Sequence, residues 1–161
     1  MRRRARVIMA SGVVGAFTGL GGYTFAYGEG ASYFSTDPAA CANCHIMEDQ
    51  YDSWTASSHR PVAGCIDCHL PHTTVGKYIA KADNGLFHSW AFTFQNFPEP
   101  IRIKPRNLRI LHHNCVECHE DTVHSLLTGE DAAGGPAACV RCHGDVGHAG
   151  ARTNPGIAVP R

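Results

Sequence analysis

The residues best equipped for chemistry in this 161-residue chain are its 8 cysteines and 11 histidines. The cysteines fall in pairs with two residues between them: Cys41 and Cys44, Cys65 and Cys68, Cys115 and Cys118, Cys139 and Cys142. A histidine follows each pair at once, at His45, His69, His119 and His143. Cys-x-x-Cys-His is the attachment pattern of c-type haem. Two thiols add across the porphyrin vinyl groups and fix one edge of the ring, and the adjacent imidazole is delivered to the iron. The four motifs therefore imply four covalently bound haems.

Other uses of paired cysteines fit less well. Between Cys44 and Cys65, and again between Cys118 and Cys139, lie 20 residues, a spacing that zinc sites built from two Cys-x-x-Cys pairs also use. Zinc does not require a histidine after every pair, however. Histidine makes up 11 of the 161 residues, so four chance placements have odds on the order of 10⁻⁵. Disulfides would use the thiols and leave the histidines unexplained. A thioredoxin-like redox motif would need a βαβ context, and none is visible.

Four haems present eight axial positions. Beyond the motifs, His59, His72, His88, His112, His113, His124 and His148 are available. Two imidazoles on one iron fill its coordination sphere and suit electron transfer rather than ligand chemistry. His59, closely preceding the second motif, and His148, five residues after His143, are the candidates. His124 stands at the same spacing after His119, so spacing alone does not separate it from His148. Met47 follows the first motif within two residues. Its thioether is a soft iron ligand that raises haem potential, although methionine more often only packs.

The elements that carry these groups are legible in outline. Arg2, Arg3, Arg4 and Arg6 precede an uncharged run from Val7 to Gly28, 22 residues long. As a helix that run reaches about 33 Å, enough to cross a bilayer. The basic flank puts the N-terminus in the cytoplasm, and Tyr23, Phe25 and Tyr27 would sit at the far interface. A cleaved signal peptide is the rival, with Ala26-Tyr27-Gly28 resembling a cleavage site, but its apolar core is usually shorter. A retained anchor is favoured, and either route takes the remainder across the membrane. Gly15 and Gly19 form a GxxxG pair that in so Gly-rich a segment is better read as chance.

Adding 74 to the positions of the first four motif cysteines gives the last four, so the haem-binding part reads as two halves. Between them, residues 73–105 hold Tyr78, Phe87, Trp90, Phe92, Phe94 and Phe97, six of the chain's 14 aromatics. Helices are predicted over 75–83 and 106–118, the second opening after Pro105. Pro98 and Pro100 break the chain between them, Gly134-Gly135-Pro136 marks a loop, and the tail from Arg152 to Arg161 reads as coil. The 14 basic and 14 acidic side chains cancel, leaving no field that would draw nucleic acid. Charged residues make up only 17%, against roughly 25% in ordinary soluble domains, so part of the chain faces something other than water. The expected fold is mainly α: a basic flank and transmembrane helix over 1–28, then a small, loop-rich multihaem domain over 29–161 with short helices and little or no sheet.

Taken together, the chain resembles the membrane-anchored tetrahaem quinol dehydrogenases. The resemblance is carried by the basic N-terminus, the single apolar helix, the four motifs, and three stretches: Cys41-Ala-Asn-Cys44-His45-Ile-Met47, Lys77-Tyr-Ile-Ala-Lys81-Ala-Asp83-Asn84-Gly85 and His88-Ser-Trp-Ala-Phe92. Within that group it is most similar to the small subunits of cytochrome c nitrite reductases, the nitrate-reductase-linked members usually being longer. The resemblance implies that quinol from the membrane pool is oxidised beside the first haem. Electrons would then pass to a multihaem catalytic subunit on the periplasmic side, in nitrite-to-ammonia respiration. It implies Met47 rather than His45 on the first iron, and His69, His119 and His143 as proximal ligands of the next three. His59 would complete the fourth haem and His148 the third, while a partner subunit supplies the second haem's other ligand. Lys81, with Lys77 one turn earlier as fallback, would bind quinol.

Quinol oxidation releases protons, so a base must lie near the haem edge. His88 stands where the family is expected to carry an acidic group, and His88 or Asp83 would serve. The aromatic run from Phe87 to Phe97 could meet membrane lipid and admit quinol, although Lys77 and Lys81 would equally suit lipid headgroups. Two other functions compete: a quinol-linked donor to a nitrate or other periplasmic terminal reductase, and a passive multihaem carrier without a quinol site. A chain that itself reduces a small molecule fits least, since it would need an open iron.

Overall fold

A computed structural model of the protein describes residues 2–99, 101–123 and 139–148. Among these the chain is helical and contains no strand, as the sequence led one to expect. The α-helices are α1 (Arg2–Tyr27), α2 (Glu48–Thr55), α3 (Cys65–His69), α4 (Thr74–Phe94), α5 (Pro105–Cys118) and α6 (Glu120–Val123). Single 3-10 turns lie at Gly30–Phe34, Pro38–Ala42, His45–Met47 and Cys139–Arg141. The chain divides into two compact units, Met1–Ser35 and Thr36–Arg161.

The first unit is α1 and the turn after it. With 26 residues the helix is about 39 Å long, and none of its described residues is buried. Ile8, Phe17 and Leu20 are 72%, 76% and 68% exposed. A helix that is apolar all round needs a surrounding other than water. Its Thr18 hydroxyl is satisfied internally, Oγ1 donating to the Val14 carbonyl at 2.9 Å, as a bilayer demands. The helix is long and apolar enough to cross a membrane.

The second unit has almost no side-chain core. Among its described residues only Leu70, Ala80, His112 and Asn114 are buried, at 7%, 1%, 2% and 3% exposure. Two apolar residues cannot offset the conformational entropy of ordering the chain. A domain of this kind needs another source of apolar surface, and porphyrins supply it.

Two helices position the middle of the unit. α4 runs 21 residues from Thr74 to Phe94, well beyond the predicted 75–83. Nothing between Asn84 and Phe94 breaks a helix, and Trp90 packs on Phe94 one turn on, ring centres 4.4 Å apart. The helix ends where Gln95 turns left-handed at φ 52°, its side-chain amide donating to the Phe92 carbonyl at 2.7 Å. α5 opens on Pro105 at its first position, where a missing N–H is harmless, and agrees with the predicted span to one residue. Arg106 bonds Asp83 at 2.7 Å, and Asn107 Nδ2 donates to Asn84 Oδ1 at 3.0 Å, so the start of α5 is tied to the middle of α4.

Candidate functional site

Each Cys-x-x-Cys-His motif sits on a tight helical turn, which brings its thiols and imidazole to one side of the backbone. α3 is the second motif itself, opened by Gly64, whose N–H donates to Asp67 Oδ2 at 2.8 Å. The third motif closes α5, and the His119 N–H donates to the Cys115 carbonyl at 3.0 Å. The fourth repeats this on a 3-10 turn, His143 N–H to Cys139 carbonyl at 2.9 Å. The first motif differs: Asp37 caps the turn through the Ala39 N–H at 2.9 Å. There the backbone bond runs from Met47 N–H to the Cys44 carbonyl at 2.8 Å. Met47 is half-buried while His45 is exposed, which favours the thioether over the imidazole as the group turned inward.

Among the described residues, which include all eight cysteines, no disulfide forms. No group of three or more His, Cys, Asp or Glu side chains is gathered at one point among them. Thiols of neighbouring motifs do face each other. Cys41 and Cys65 are hydrogen-bonded, which drives the Cys65 thiol far up. Cys41 is pulled down to about 7, first by that bond and then, against burial, by the Lys81 ammonium. Cys115 is pushed up to about 11 by burial and by Cys139. Unbridged thiols, all of them partly or wholly accessible, around a nearly absent core suit covalent haem.

The imidazoles outside the motifs sort by what their nitrogens do. The His148 Nδ1–H donates to the Gln50 carbonyl at 3.0 Å, an arrangement that leaves Nε2 for a metal. His59 Nδ1 meets Ser58 Oγ at 3.2 Å, a hydroxyl that can donate or accept, and Nε2 is free for a metal in the tautomer where Nδ1 donates. His72 is consumed at both nitrogens, by the Asp67 carbonyl at 2.9 Å and Glu117 at 2.9 Å, and is not an iron ligand. His112 is buried with Nδ1 3.6 Å from Cys139 Sγ. His124 lies outside the described residues. Burial and the neighbouring His148 lower the His69 pKa to about 4, so its imidazole is neutral at pH 7, the form that ligates.

Two pairs of imidazole rings lie near each other, tilted by 58° and 36°. His59 and His119 have centres 6.1 Å apart, and His69 and His148 6.0 Å. The two pairs bring His59 beside the histidine of the third motif and His148 beside that of the second.

The residues expected at a quinol site are only partly brought together. On α4, Lys77, Lys81 and His88 fall within about 40° of one another, while Asp83 lies about 160° from Lys81. Asp83 is engaged by Arg106, so it serves the α4–α5 tie and not the lysine face. Lys81 lies close enough to Cys41 to lower its pKa, placing a positive charge beside the first motif. His88 is shifted below its ordinary 6.5 by partial burial of the ring and by the Lys104 ammonium. Lys104 itself lies 4.2 Å from the centre of the Phe87 ring. Asn114, His72 and Arg106 organise the region, yet no motif marks them in the sequence.

Four attachment motifs on short helical turns, with little other core, define a c-type cytochrome. The model of the NapC/NirT cytochrome c family, N-terminal region, matches residues 2–109, and the chain belongs to that family. It is 38% identical over 131 residues to the cytochrome c-type protein NrfH of Wolinella succinogenes, covering 76% of this chain and 74% of the relative. Its fold is similar to a chain in the crystal structure of the cytochrome c nitrite reductase NrfHA complex bound to the inhibitor HQNO. That match has a TM-score of 0.63 and 23% identity, and it spans 92% of this chain and 99% of the other.

Proposed function

We propose that the protein is a four-haem quinol dehydrogenase of the cytoplasmic membrane that supplies electrons to the catalytic subunit of a cytochrome c nitrite reductase. The identity to NrfH and the likeness to a chain of the NrfHA complex support the partner, and the apolar α1 behind a run of arginines supports a single-pass anchor with the N-terminus inside. The observation that carries the quinol reading is Lys81, whose ammonium lies beside Cys41 of the first motif.

The eight cysteines would hold four haems, and Met47, His69, His119, His143, His59 and His148 would provide ligands to their irons. Haem supplies one-electron chemistry at the first motif and a conducting path to the fourth. The chain does the rest. Lys81 donates a hydrogen bond to a quinol oxygen and holds the ring at the haem edge. His88, on the same face of α4 and neutral at pH 7 because its pKa is lowered, takes a proton as electrons leave. Oxidation to quinone releases two electrons and two protons, and a neutral imidazole is ready for one of them.

Lys81→Gln tests this in the full-length, detergent-solubilised protein. Reduction by a menaquinol analogue should fall tenfold or more while dithionite reduces all haems as before. An unchanged quinol rate would remove Lys81 from the site.

A further inference from the structure

The amide of Asn114 makes three long-range hydrogen bonds, and its partners lie on the turn that carries His69. Nδ2 is within bonding distance of the carbonyls of Asp67 at 2.9 Å, Cys68 at 3.1 Å and Leu70 at 2.8 Å. These carbonyls flank His69 on both sides, two before it and one after. Two hydrogens serve three acceptors, so at least one bond is shared. Asn114 is 3% exposed, and its Oδ1 has no protein donor among the described residues, so the amide nitrogen carries the residue's whole hydrogen-bonding role. A leucine of similar size would remove the unpaired Oδ1 but also the donor that serves these carbonyls. What it would lose is the grip on α3.

That grip has a particular place in the chain. Asn114 immediately precedes Cys115, the first thiol of the third motif, whereas the carbonyls it holds belong to the second motif and the residue after it. We propose that Asn114 is a positioning residue that fixes the second haem against the third by clamping the backbone around His69 onto the turn that bears Cys115. The inference rests on the haem-binding reading above and not on the quinol site. His72 makes a parallel, more exposed tie, Nε2 to the Asp67 carbonyl at 2.9 Å and Nδ1 to Glu117 of α5 at 2.9 Å. The buried tie outweighs it, because water competes for a bond at the surface.

Electron transfer falls steeply with the distance between haem edges, so a clamp between two attachment turns sets a rate as well as a shape. Outer partners that orient a ligating histidine typically matter by about 10- to 100-fold in activity. The test compares Asn114→Leu and Asn114→Ser in the full-length holoprotein, reading low-temperature EPR, the haem potentials by mediated titration, and the spread of electrons among the haems after rapid reduction of the first. The clamp predicts shifted low-spin EPR signals in Asn114→Leu and internal electron transfer slowed about tenfold. The serine hydroxyl, which can still reach a carbonyl, should restore part of both. Wild-type EPR, potentials and internal rate in Asn114→Leu, with only a lower unfolding temperature, would reduce Asn114 to a stabilising role and overturn the proposal. Should the leucine variant fail to mature, Asn114→Ser decides alone: shifted signals support the clamp and unchanged ones overturn it. Chemical reductants set these readouts, so a failure of quinol oxidation leaves the test intact. Fewer than four haems in the unaltered protein would instead strike at the haem assignment.

Discussion

Lys81, His88 and Met47 divide the work expected at the first haem, and each makes a separate claim. A hydrogen bond from a charged donor contributes about 1.5–3 kcal/mol, so Lys81→Gln should lower the quinol rate by about tenfold to a hundredfold. His88 has its pKa depressed by partial burial and by Lys104. As a proton acceptor it must be neutral, so the quinol rate should rise with pH through a value below 6.5 and level off above it. His88→Gln should flatten that limb, and a limb unaltered by the substitution would move the acceptor elsewhere. Met47→His should replace a thioether with an imidazole on the first iron and lower the potential of one haem only, read by spectroelectrochemistry. The motif cysteines and histidines were legible because covalent attachment requires a fixed local spacing. Whether His45 or Met47 turns inward was not, since it depends on the shifted turn in which Met47 N–H bonds the Cys44 carbonyl.

α4 and α5 show where local reading stops. Their periodicity and the Pro105 start were visible, yet α4 runs on to Phe94 because the aromatic stretch carries no breaker before Gln95. Asp83 looked like a candidate base, being acidic and near Lys81 in sequence. The helical period turns it to another face, and Arg106 holds it there at 2.7 Å. The partners are 32% and 45% exposed, so the pair contributes only about 0–1 kcal/mol. Asp83→Asn should therefore leave the quinol rate within about twofold and lower the unfolding temperature slightly. A collapse of the quinol rate would return Asp83 to the proton path. No sequence pattern announces the α4–α5 tie or the Asn114 contacts, because each joins residues distant in the chain.

At the scale of the whole molecule, the second unit encloses haem attachment turns instead of a side-chain core, with four buried residues among those described. The four attachment motifs of so small a domain foretold this composition, since porphyrins leave little room for a side-chain core. The nearness of His59 to His119 and of His69 to His148 could not be read from spacing, because it depends on how the turns pack. Removing haem should unfold this unit: a variant lacking Cys139 and Cys142 should carry three haems and lose most of its cooperative melting, seen by haem quantitation and circular dichroism. The first unit, whose helix is uncharged from Val7 onward and exposed along its length, should keep the protein in carbonate-washed membranes.

The most direct test mixes the detergent-solubilised protein with a menaquinol analogue and follows haem absorbance. Quinol oxidation at the Lys81 face predicts rapid reduction that Lys81→Gln slows. No reduction by quinol, with dithionite still reducing all four haems, would contradict it and leave the chain a relay between other redox partners.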